Sequence, residues 1–417
     1  MRITWLILAH RLFVYPLLFL AIRGFAALNP KLKRYFKVRK GRYWRKVTAP
    51  KNAIWIHCSS GELEYAKPLI RRLKKKGEKI VVTYFSPSVE QALNNMPEID
   101  LVLPCPFDTR RSMQDFTTWL QPKVLFIART DVWPEMLFQT KKQKIKAYLF
   151  SATLSDENAK IKNHLTRIIF QHLFAWLDHI YCVAVADADN FKQKLNIQQV
   201  TISGDARYMQ CLYRLHSLAP LELQKAKSPS IVFGSTWLED EMVIFPVLHR
   251  LQDLGFNCVL VPHETYPKKM LLLLQRLKEI GQEAHLLSQS TDPLNESLLI
   301  VDKVGILANL YTEADIAFVG GSFKSSVHSV MEPLAAGCNV IVGPEHHNSR
   351  EALEFKHIEE NGIHLVHVIE NSEDLYKIVK KCLETDMSTV RTRIEQEVEI
   401  KNIAAKKGLE LLVQATI

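Results

Sequence analysis

Short apolar runs alternate with amphipathic helical stretches along the chain beyond residue 50. The runs lack strict alternation of apolar and polar residues, and turn or helix-capping residues bound each of them. Strands that are buried on both faces of a parallel sheet have this pattern. We therefore predict an α/β fold of parallel strands and helices. The predicted strands are 53–56, 80–83, 101–103, 124–127, 147–150, 180–183, 200–202, 231–233, 258–261, 298–301, 316–319 and 339–342.

A polar stretch with two prolines at 218–230 separates the strands into two groups. Two such groups predict two tandem Rossmann-like domains. We expect these domains at 51–218 and 229–417, the second including the C-terminal helices, after an N-terminal segment at 1–50. Ligands bind beyond the carboxyl ends of the strands in such sheets, so we expect the active site in a cleft that the two domains face.

The N-terminal segment joins an apolar stretch to a basic one. Residues 5–22 are interrupted by His10 and Arg11, and Pro16 predicts a kink; eleven Lys and Arg and no Asp or Glu follow at 23–51. An apolar helix with a polybasic flank is attracted to an anionic membrane surface. We predict an uncleaved interfacial anchor in preference to a spanning helix. A helix that packs only on its own domain is the alternative.

The net charge of +10 would suit a nucleic-acid-binding protein, but its location excludes that class. Residues 52–417 carry 41 Lys and Arg against all 44 Asp and Glu, so the basic excess belongs to the N-terminal segment. We therefore predict anionic membrane lipids, and no nucleic acid, among the partners.

Several nucleotide and metal sites are not indicated by the sequence. The seven cysteines are scattered without a Cys-x-x-Cys pair, which favours a reducing compartment over a disulfide framework or a zinc knuckle. There is no Gly-x-Gly-x-x-Gly after an early strand and no P-loop, which argues against an NAD(P)-binding site and a nucleoside-triphosphate-binding site. A sugar-nucleotide-binding site is the remaining candidate for this fold.

Two acidic residues follow predicted strands in the first half. Glu62 ends the segment His57-Cys-Ser-Ser-Gly-Glu62 and stands at the start of a predicted helix, where its carboxylate could act as a general base. Asp131, in Thr130-Asp-Val-Trp-Pro-Glu135, is a second acidic candidate at the same sheet edge. A helix cap is the alternative role for each.

Small and hydroxyl residues end two strands in the second half. The segments Phe233-Gly-Ser-Thr236 and Phe318-Val-Gly-Gly-Ser322 predict a place where backbone N–H groups take a phosphate. Glu332 begins a helix four residues after His328. A carboxylate beside a phosphate site suits a bidentate grip on ribose hydroxyls.

These residues resemble those of the Kdo transferases of lipopolysaccharide synthesis, which move 3-deoxy-D-manno-octulosonic acid (Kdo) from CMP-Kdo to lipid A precursors. The resemblance covers nearly the whole chain and implies a glycosyltransferase-B type fold. It implies catalytic roles for Glu62, Asp131 and Arg207. It implies a CMP-sugar site formed by Ser235, Thr236, Pro262, His263, Gly305, Gly320, Gly321, Ser322, His328, Ser329, Glu332 and Asn348.

Three segments depart from the family pattern. The chain has Pro262-His-Glu264 for Pro-Arg-His, Val304-Gly-Ile306 for Met-Gly-Glu, and His328-Ser-Val-Met-Glu332 for His-Asn-Pro-Leu-Glu. The missing Arg and Glu remove two expected contacts to CMP. The resemblance therefore leaves another acidic-sugar nucleotide open as the donor.

The resemblance implies an inverting transfer at the cytoplasmic face of the inner membrane, without a metal or cofactor. Glu62 would deprotonate the acceptor hydroxyl, and the amides at 320–322 with Arg207 would carry the leaving charge. The Asp187-Ala-Asp189 pair is expected to cap a helix and not to bind metal. A nucleotide-sugar epimerase or hydrolase of the same fold and a catalytically inactive membrane scaffold are the alternatives.

Overall fold

The computed structural model describes residues 5–26, 29–219 and 228–416. The chain forms two compact units, Met1–Gln210 with Lys401–Ile417 and Cys211–Ile400. We expected all C-terminal helices in the second domain, whereas the last seventeen residues group with the first unit. Residues 220–227 of the predicted linker lie outside the described residues.

The first unit contains a parallel sheet of seven strands in the order β3-β2-β1-β4-β5-β6-β7. The chain order reverses beside β1 and β4, which places a ligand-binding switch point at their carboxyl ends. The strands are β1 (Ile54–Cys58), β2 (Ile80–Tyr84), β3 (Leu101–Pro104), β4 (Val124–Ala128), β5 (Lys146–Ala152), β6 (His179–Cys182) and β7 (Val200–Ile202).

The second unit contains another parallel sheet of seven strands, in the order β10-β11-β9-β8-β12-β13-β16, and a two-stranded antiparallel hairpin, β14-β15. All twelve predicted strands are present. The strands are β8 (Ser230–Thr236), β9 (Asn257–Pro262), β10 (His285–Leu286), β11 (Leu298–Ile300), β12 (Ile316–Val319), β13 (Asn339–Val342), β14 (Glu359–Glu360), β15 (Ile363–His364) and β16 (Val366–Val368).

Helices follow most strands and cover the sheets. They are α1 (Trp5–Ala9), α2 (Tyr15–Ala26), α3 (Pro30–Val38), α4 (Leu63–Lys75), α5 (Glu90–Asn94), α6 (Arg110–Leu120), α7 (Pro134–Lys142), α8 (Ala159–Lys162), α9 (His164–Phe174), α10 (Val185–Leu195), α11 (Ala206–His216), α12 (Leu238–Ile244), α13 (Leu248–Asp253), α14 (Pro267–Glu279), α15 (Leu307–Thr312), α16 (Met331–Ala335), α17 (Arg350–Phe355), α18 (Ser372–Leu383) and α19 (Met387–Gln414).

Strand β1 shows why these strands read as continuous apolar runs. Ile54, Ile56 and Cys58 pack into the core on one face of the first sheet, and Trp55 packs into the core on the other. Successive side chains of a strand point to opposite faces, so a strand covered on both faces is mostly apolar. The buried strand ends therefore leave chemistry to the loops that follow them.

The N-terminal helix is attached to the first unit by the two residues that interrupt its apolar stretch. His10 lies 2.9 Å from a carboxylate oxygen of Asp108, and Arg11 pairs with the buried Glu135. A π-helical turn at His10–Val14 precedes α2, so Pro16 falls in the first turn of α2, where its missing N–H is tolerated.

Much of this helix is apolar and exposed. Trp5–Ala26 is long and apolar enough to cross a membrane, with 17% of its most apolar window buried. Leu12, Phe13, Leu17 and Leu20 are each more than 60% exposed. The helix thus packs on its own unit through one side and exposes apolar side chains on the other.

Part of the polybasic segment is structural. Arg39 is buried and donates hydrogen bonds to the carbonyl oxygens of Tyr35, Tyr84, Phe85 and Cys105 at 2.6–3.1 Å. Four carbonyl acceptors satisfy a cation that is removed from water. Arg39 therefore joins α3 to the carboxyl ends of β2 and β3, although the sequence suggested only a membrane-facing charge.

Candidate active site

Glu62 ends the loop after β1 and immediately precedes α4. One of its carboxylate oxygens accepts a 2.7 Å hydrogen bond from the backbone N–H of Ser60. The side chain makes no capping bond to α4, and no other hydrogen bond or ion pair involves it among the described residues. The second oxygen of this half-buried carboxylate is therefore available to take a proton.

Asp131 follows β4 and has a different environment. Its carboxylate accepts hydrogen bonds from Ser59, from His57 Nε2 at 3.3 Å and from Trp133 Nε1 at 3.1 Å. Burial raises the pKa of Asp131, but the hydrogen bond and charge of His57 outweigh burial and bring the pKa below its usual value. Asp131 therefore stays ionised and is a weak base.

The two acids share one loop. Ser59 bonds to Asp131 and the next residue, Ser60, bonds to Glu62, so the loop after β1 contacts both carboxylates. His57, at the end of β1, supports this arrangement through a 3.0 Å contact between its Nδ1 and Thr83 Oγ1. The structure thus brings the two predicted acidic residues together.

Two arginines meet the ring of Tyr65, one turn after Glu62. The guanidinium carbons of Arg129 and Arg207 lie 4.8 and 5.0 Å from the ring centroid. Arg207 also makes 3.1 and 3.2 Å hydrogen bonds to the buried Asp205. The predicted cation is thus present in the first unit, held by a carboxylate and an aromatic ring.

Arg129 has an unusual backbone conformation. Its φ is +65°, although a residue with a Cβ rarely adopts the left-handed region. Its N–H donates to the carbonyl of Phe150 in β5 at 2.8 Å, which holds the turn at the end of β4. Such strain concentrates at functional sites, and here it directs the turn that carries Asp131.

Lys160 of α8 adds a third cation to this group. Burial lowers the pKa of its ammonium, Asp131 raises it, and Arg129 lowers it again, with a downward net shift. Its Nζ lies 5.3 Å from the ring of Phe170. Glu62 and Asp131 are therefore accompanied by cations at the carboxyl ends of β4 and β5 and by Arg207 after β7.

The second unit has a stack of aromatic rings at the carboxyl ends of β8 and β9. The centroid of His263 lies 4.4 Å from Trp237 and 4.7 Å from His328, and Trp237 Nε1 lies 3.1 Å from His328 Nε2. Lys324 Nζ lies 3.3 Å from the Trp237 centroid. Burial, His263 and Lys324 all lower the pKa of His328, so its ring is neutral at pH 7.

The Gly320-Gly321-Ser322 segment has a role that differs from our prediction. The N–H of Gly320 donates to the carbonyl of Gly234 at 2.8 Å, and that of Gly321 donates to Asp240 at 2.7 Å. Both donors are used within the protein, so their contacts do not support the prediction that these amides carry the leaving charge. Ser322 Oγ bonds to the carbonyl of Val319 at 3.0 Å.

These glycines are required by close packing. A Cβ on Gly320 would lie 2.3 Å from the carbonyl oxygen of Ser235, and one on Gly321, whose φ is +84°, would lie 2.4 Å from that of Ser326. The segment therefore brings the ends of β8 and β12 together and supports His328, which is 3.2 Å from the Gly321 Cβ position. Asp240, which the sequence did not single out, holds the turn.

Asn348 positions the loop before His328. Its side-chain amide accepts from the N–H of Val327 at 3.1 Å and donates to the carbonyl of Val327 at 2.9 Å. Glu332 is paired with Arg214 at 2.9 Å, so the predicted ribose ligand already has a cationic partner. These two residues act on neighbouring protein groups in the structure.

The remaining predicted residues are divided between the site and its surroundings. Ser235 (φ +56°) lies at a register shift in β8, and the carbonyl of Thr236 accepts from the N–H of His263 at 2.9 Å. Pro262 ends β9 next to His263. Gly305 and Ser329 are exposed, and no hydrogen bond in the described parts of the chain joins them to this group.

No cluster of three or more His, Cys, Asp or Glu side chains within residues 5–26, 29–219 and 228–416 could hold a metal ion. Asp187 caps α10, because its carboxylate accepts from the N–H of Ala184 at 3.1 Å and from that of Leu154 at 2.7 Å. The capping role predicted for the Asp-x-Asp pair is confirmed for Asp187.

Residues 33–210 match the family described as 3-deoxy-D-manno-octulosonic-acid transferase (kdotransferase). The 3-deoxy-D-manno-octulosonic acid transferase of Haemophilus influenzae is 28% identical over 354 residues, which are 81% of each chain. That of Aquifex aeolicus is 26% identical over 370 residues, 87% of this chain and 94% of the relative. The chain is similar to the Kdo transferases over most of its length. This family is a glycosyltransferase family, as the resemblance implied.

Two solved structures have a fold similar to that of this chain. A glycosyltransferase from Rickettsia africae is 13% identical, covers 88% of this chain and 98% of its own, and has a TM-score of 0.56. A UDP-GlcNAc 2-epimerase from Neisseria meningitidis is 12% identical, covers 87% and 98%, and has a TM-score of 0.59. The glycosyltransferase-B type of α/β fold is confirmed, and it is shared by transferases and epimerases.

Proposed function

We propose that the chain transfers Kdo from CMP-Kdo to a phosphorylated, acylated lipid A precursor. The relatives' names support Kdo as the transferred sugar. The observation that carries the proposal is the contrast between the two acids of the first unit. Glu62 accepts a single backbone hydrogen bond, whereas Asp131 accepts three hydrogen bonds at Oδ2 and remains ionised.

In the proposed reaction Glu62 removes the proton from an acceptor hydroxyl as its oxygen attacks the anomeric carbon of Kdo. The bond between that carbon and the phosphate oxygen of CMP breaks, and CMP leaves with the electron pair. A single displacement of this kind inverts the anomeric configuration. General base catalysis increases a reaction rate roughly 10²- to 10⁴-fold. The Glu62 carboxylate needs no metal ion to accept the proton.

Asp131 and the cations would prepare this site electrostatically. The ionised Asp131 orients Ser59 and His57, which fixes the loop that carries Glu62. Arg129, Arg207 and Lys160 provide fixed positive charge beside the anionic groups that the reaction brings in. Preorganised charge stabilises a transition state because it does not reorganise during the reaction.

We assign the donor to the aromatic group of the second unit. The exposed ring of His263, which stacks on Trp237 and on His328, suits stacking on a nucleobase. Lys324 offers a cation for the phosphate in place of the glycine amides that the protein itself occupies. His263 stands where the family pattern has arginine, so the donor grip of this chain relies on ring stacking.

We also propose that the chain acts at the cytoplasmic face of the inner membrane. The exposed apolar side of Trp5–Ala26 and the basic residues that follow it are the features that support this location. An interfacial helix positions a catalytic domain next to a lipid acceptor.

Substitution of Glu62 by Gln tests the proposed base. We expect Kdo transfer to fall at least about 100-fold, because the amide cannot accept the acceptor proton. Melting temperature and donor affinity should stay near the wild-type values. Transfer is measured with CMP-Kdo and a tetraacylated disaccharide bisphosphate.

Glu64→Gln is the matched control. Glu64 lies two residues later in α4, loses the same charge, and its side chain pairs with Lys67. The control should keep most of the wild-type turnover. If Glu62→Gln retains more than roughly a tenth of the turnover, Glu62 is not the base.

A further inference from the structure

The guanidinium of Arg129 has hydrogen-bond donors that the protein does not use. Its Nη1 donates to the hydroxyl of Tyr65, whereas its Nε and Nη2 donate no hydrogen bond within residues 5–26, 29–219 and 228–416. The Nε and Nη2 groups of a guanidinium lie side by side and match the two oxygens of a carboxylate. The half-buried Arg129 therefore presents a free edge that suits a carboxylate.

The charge of Arg129 is also unpaired. No carboxylate of the described residues lies at ion-pair distance from it. Arg207, which contacts the same Tyr65 ring, differs because it pairs with the buried Asp205 at 3.1 Å. A cation without a partner attracts an added anion more strongly than a compensated one. Arg129 thus combines a free charge with a free edge.

The position of this edge is fixed by contacts on both the side chain and the backbone. The guanidinium carbon lies 4.8 Å from the ring centroid of Tyr65, which is 7% exposed. The backbone of Arg129, with a φ of +65°, donates its N–H to the carbonyl of Phe150 at 2.8 Å. A donor that is already held in place loses little freedom when it binds a ligand.

The free edge lies in the same part of the first unit as the proposed base. Tyr65 is in the first turn of α4, and its N–H donates to the carbonyl of Glu62 at 3.1 Å. Arg129 precedes Asp131 by two residues, and its charge lowers the pKa of Lys160. An anion that binds Arg129 is therefore near the start of α4, where Glu62 lies.

The proposed substrate has an anionic group at its reacting carbon. Kdo is a 2-ulosonic acid, so its carboxylate is attached directly to the anomeric carbon. A base reaches the attacking hydroxyl at about 2.6–3.2 Å, which brings the sugar carboxylate close to the carboxylate of Glu62. Like charges repel, so this approach requires a cation that compensates the sugar.

We propose that Arg129 binds the carboxylate of the transferred sugar through Nε and Nη2. This contact makes Arg129 a specificity-determining residue, because a neutral sugar would leave the guanidinium without its partner. The assignment rests on the proposed function, since it takes the reaction at Glu62 as its starting point. It adds which chemical group of the donor the first unit recognises.

The test compares two donors in wild type and Arg129→Gln. The donors are CMP-Kdo and its carboxamide analogue, in which the sugar carboxylate is a neutral amide. Transfer to a tetraacylated disaccharide bisphosphate gives kcat/KM, and melting temperatures are measured in parallel. The matched control is Arg72→Gln, which removes a guanidinium that pairs with Glu410 near the C-terminal end of α4.

We expect the wild type to use the carboxamide roughly 10- to 150-fold less well than CMP-Kdo, the range for a hydrogen bond between charged groups. Arg129→Gln should lower kcat/KM for CMP-Kdo by a similar factor and barely change it for the carboxamide. Such non-additivity shows that the substitution and the analogue remove the same contact. Arg129→Lys should recover part of the loss, because it keeps the charge without the planar edge.

Two results would overturn the carboxylate contact. An equal fall of kcat/KM for both donors in Arg129→Gln would show that Arg129 acts only through local structure. A wild type that uses both donors equally well would show that no cation recognises the carboxylate, and this measurement needs no variant. Arg72→Gln should match the wild type with both donors.

Binding without turnover separates this proposal from the proposed function. The probes are the methyl glycoside of Kdo and its carboxamide, added to the CMP-saturated protein and followed by ligand NMR. We expect the wild type to bind the glycoside at least about 10-fold more tightly than Arg129→Gln does. Arg129-dependent binding by a wild type that transfers no Kdo would contradict the proposed function and support the carboxylate site. Kdo transfer without any dependence on Arg129 would do the reverse.

Discussion

At the scale of single residues, the environment separates two carboxylates that look alike in the sequence. Both Glu62 and Asp131 follow a strand and precede a helix. Three donors stabilise the charge of Asp131, while Glu62 accepts one backbone hydrogen bond. Hydrogen bonds to the charged form make a carboxylate a weaker base, so the less bonded residue is the better proton acceptor.

The pair of His57 and Asp131 predicts a pH dependence. Burial lowers the pKa of His57, but the interactions with Cys105 and Asp131 outweigh burial and raise the pKa to about 10. Because the folded pKa exceeds the unfolded value, the protonated pair stabilises the fold fully below about pH 6.5, and this contribution is lost as the pH rises through 10. We expect the melting temperature of the wild type to fall between pH 7 and 10.

Asp131→Asn should reduce this fall, because His57 loses its charged partner. The difference between the two proteins in calorimetric scans from pH 7 to 10 is the measurement, and groups that titrate in both proteins cancel. Asp178→Asn, which alters a carboxylate that pairs with Lys141, is the control and should keep the wild-type slope. Parallel curves for wild type and Asp131→Asn would show that His57 is not protonated in the fold.

At the scale of elements, the donor group depends on how loops are held at strand ends. Asn348, after β13, makes two hydrogen bonds to the backbone of Val327, the residue before His328. Asp240 of α12 holds the turn after β12 through the N–H groups of Gly321 and Phe323. Both residues act by positioning, since they bond to the protein itself.

Asn348→Ala should therefore raise the donor KM roughly 5- to 30-fold and leave kcat within a factor of two, because two hydrogen bonds to the loop are lost. Steady-state kinetics with CMP-Kdo gives both constants. Glu345→Ala is the matched control, because the backbone carbonyl of Glu345 still accepts from Val327. A fall in kcat at unchanged donor KM would contradict a role for Asn348 in holding the donor loop.

At the scale of the whole molecule, the N-terminal helix is part of the first unit and exposes apolar side chains on its other side. Leu6, Ile7 and Trp44 are buried, and Arg39 bonds to four carbonyls, so removal of the N-terminal segment would open the first unit. Substitutions at exposed positions are therefore a cleaner test of membrane binding than truncation.

We expect the triple variant Leu12→Gln/Phe13→Gln/Leu17→Gln to bind anionic vesicles at low salt and to be released at high salt. The basic residues still attract the surface, but salt screens them and the apolar anchor is lost. The wild type should stay bound in both conditions. Vesicle co-sedimentation measures this.

The control for the membrane test carries three Gln substitutions at Met242, Leu271 and Leu272. These residues are exposed in the second unit, at 51–69%. The control should behave like the wild type. Retention of the N-terminal variant on vesicles at high salt would place the membrane contact elsewhere on the protein.

The sequence by itself predicted twelve of the fourteen strands of the two large sheets, because strands buried on both faces are mostly apolar. It also identified Glu62 and Asp131, since loops after parallel strands meet at one sheet edge. The sequence does not predict Arg129 or Lys160 near these acids. No local sequence pattern marks an arginine with a left-handed backbone conformation or a lysine that follows a loop.

Only the tertiary structure decided how polar groups are paired, because hydrogen bonds and charge depend on distances between residues far apart in the chain. The sequence predicts a phosphate site at the amides of Gly320 and Gly321, but in the structure these amides donate to Gly234 and Asp240. The sequence predicts Arg39 to be one of the membrane-facing charges, but in the structure its guanidinium donates to buried carbonyl oxygens. Spacing predicts where a group lies, and packing decides whether that group is available to a ligand.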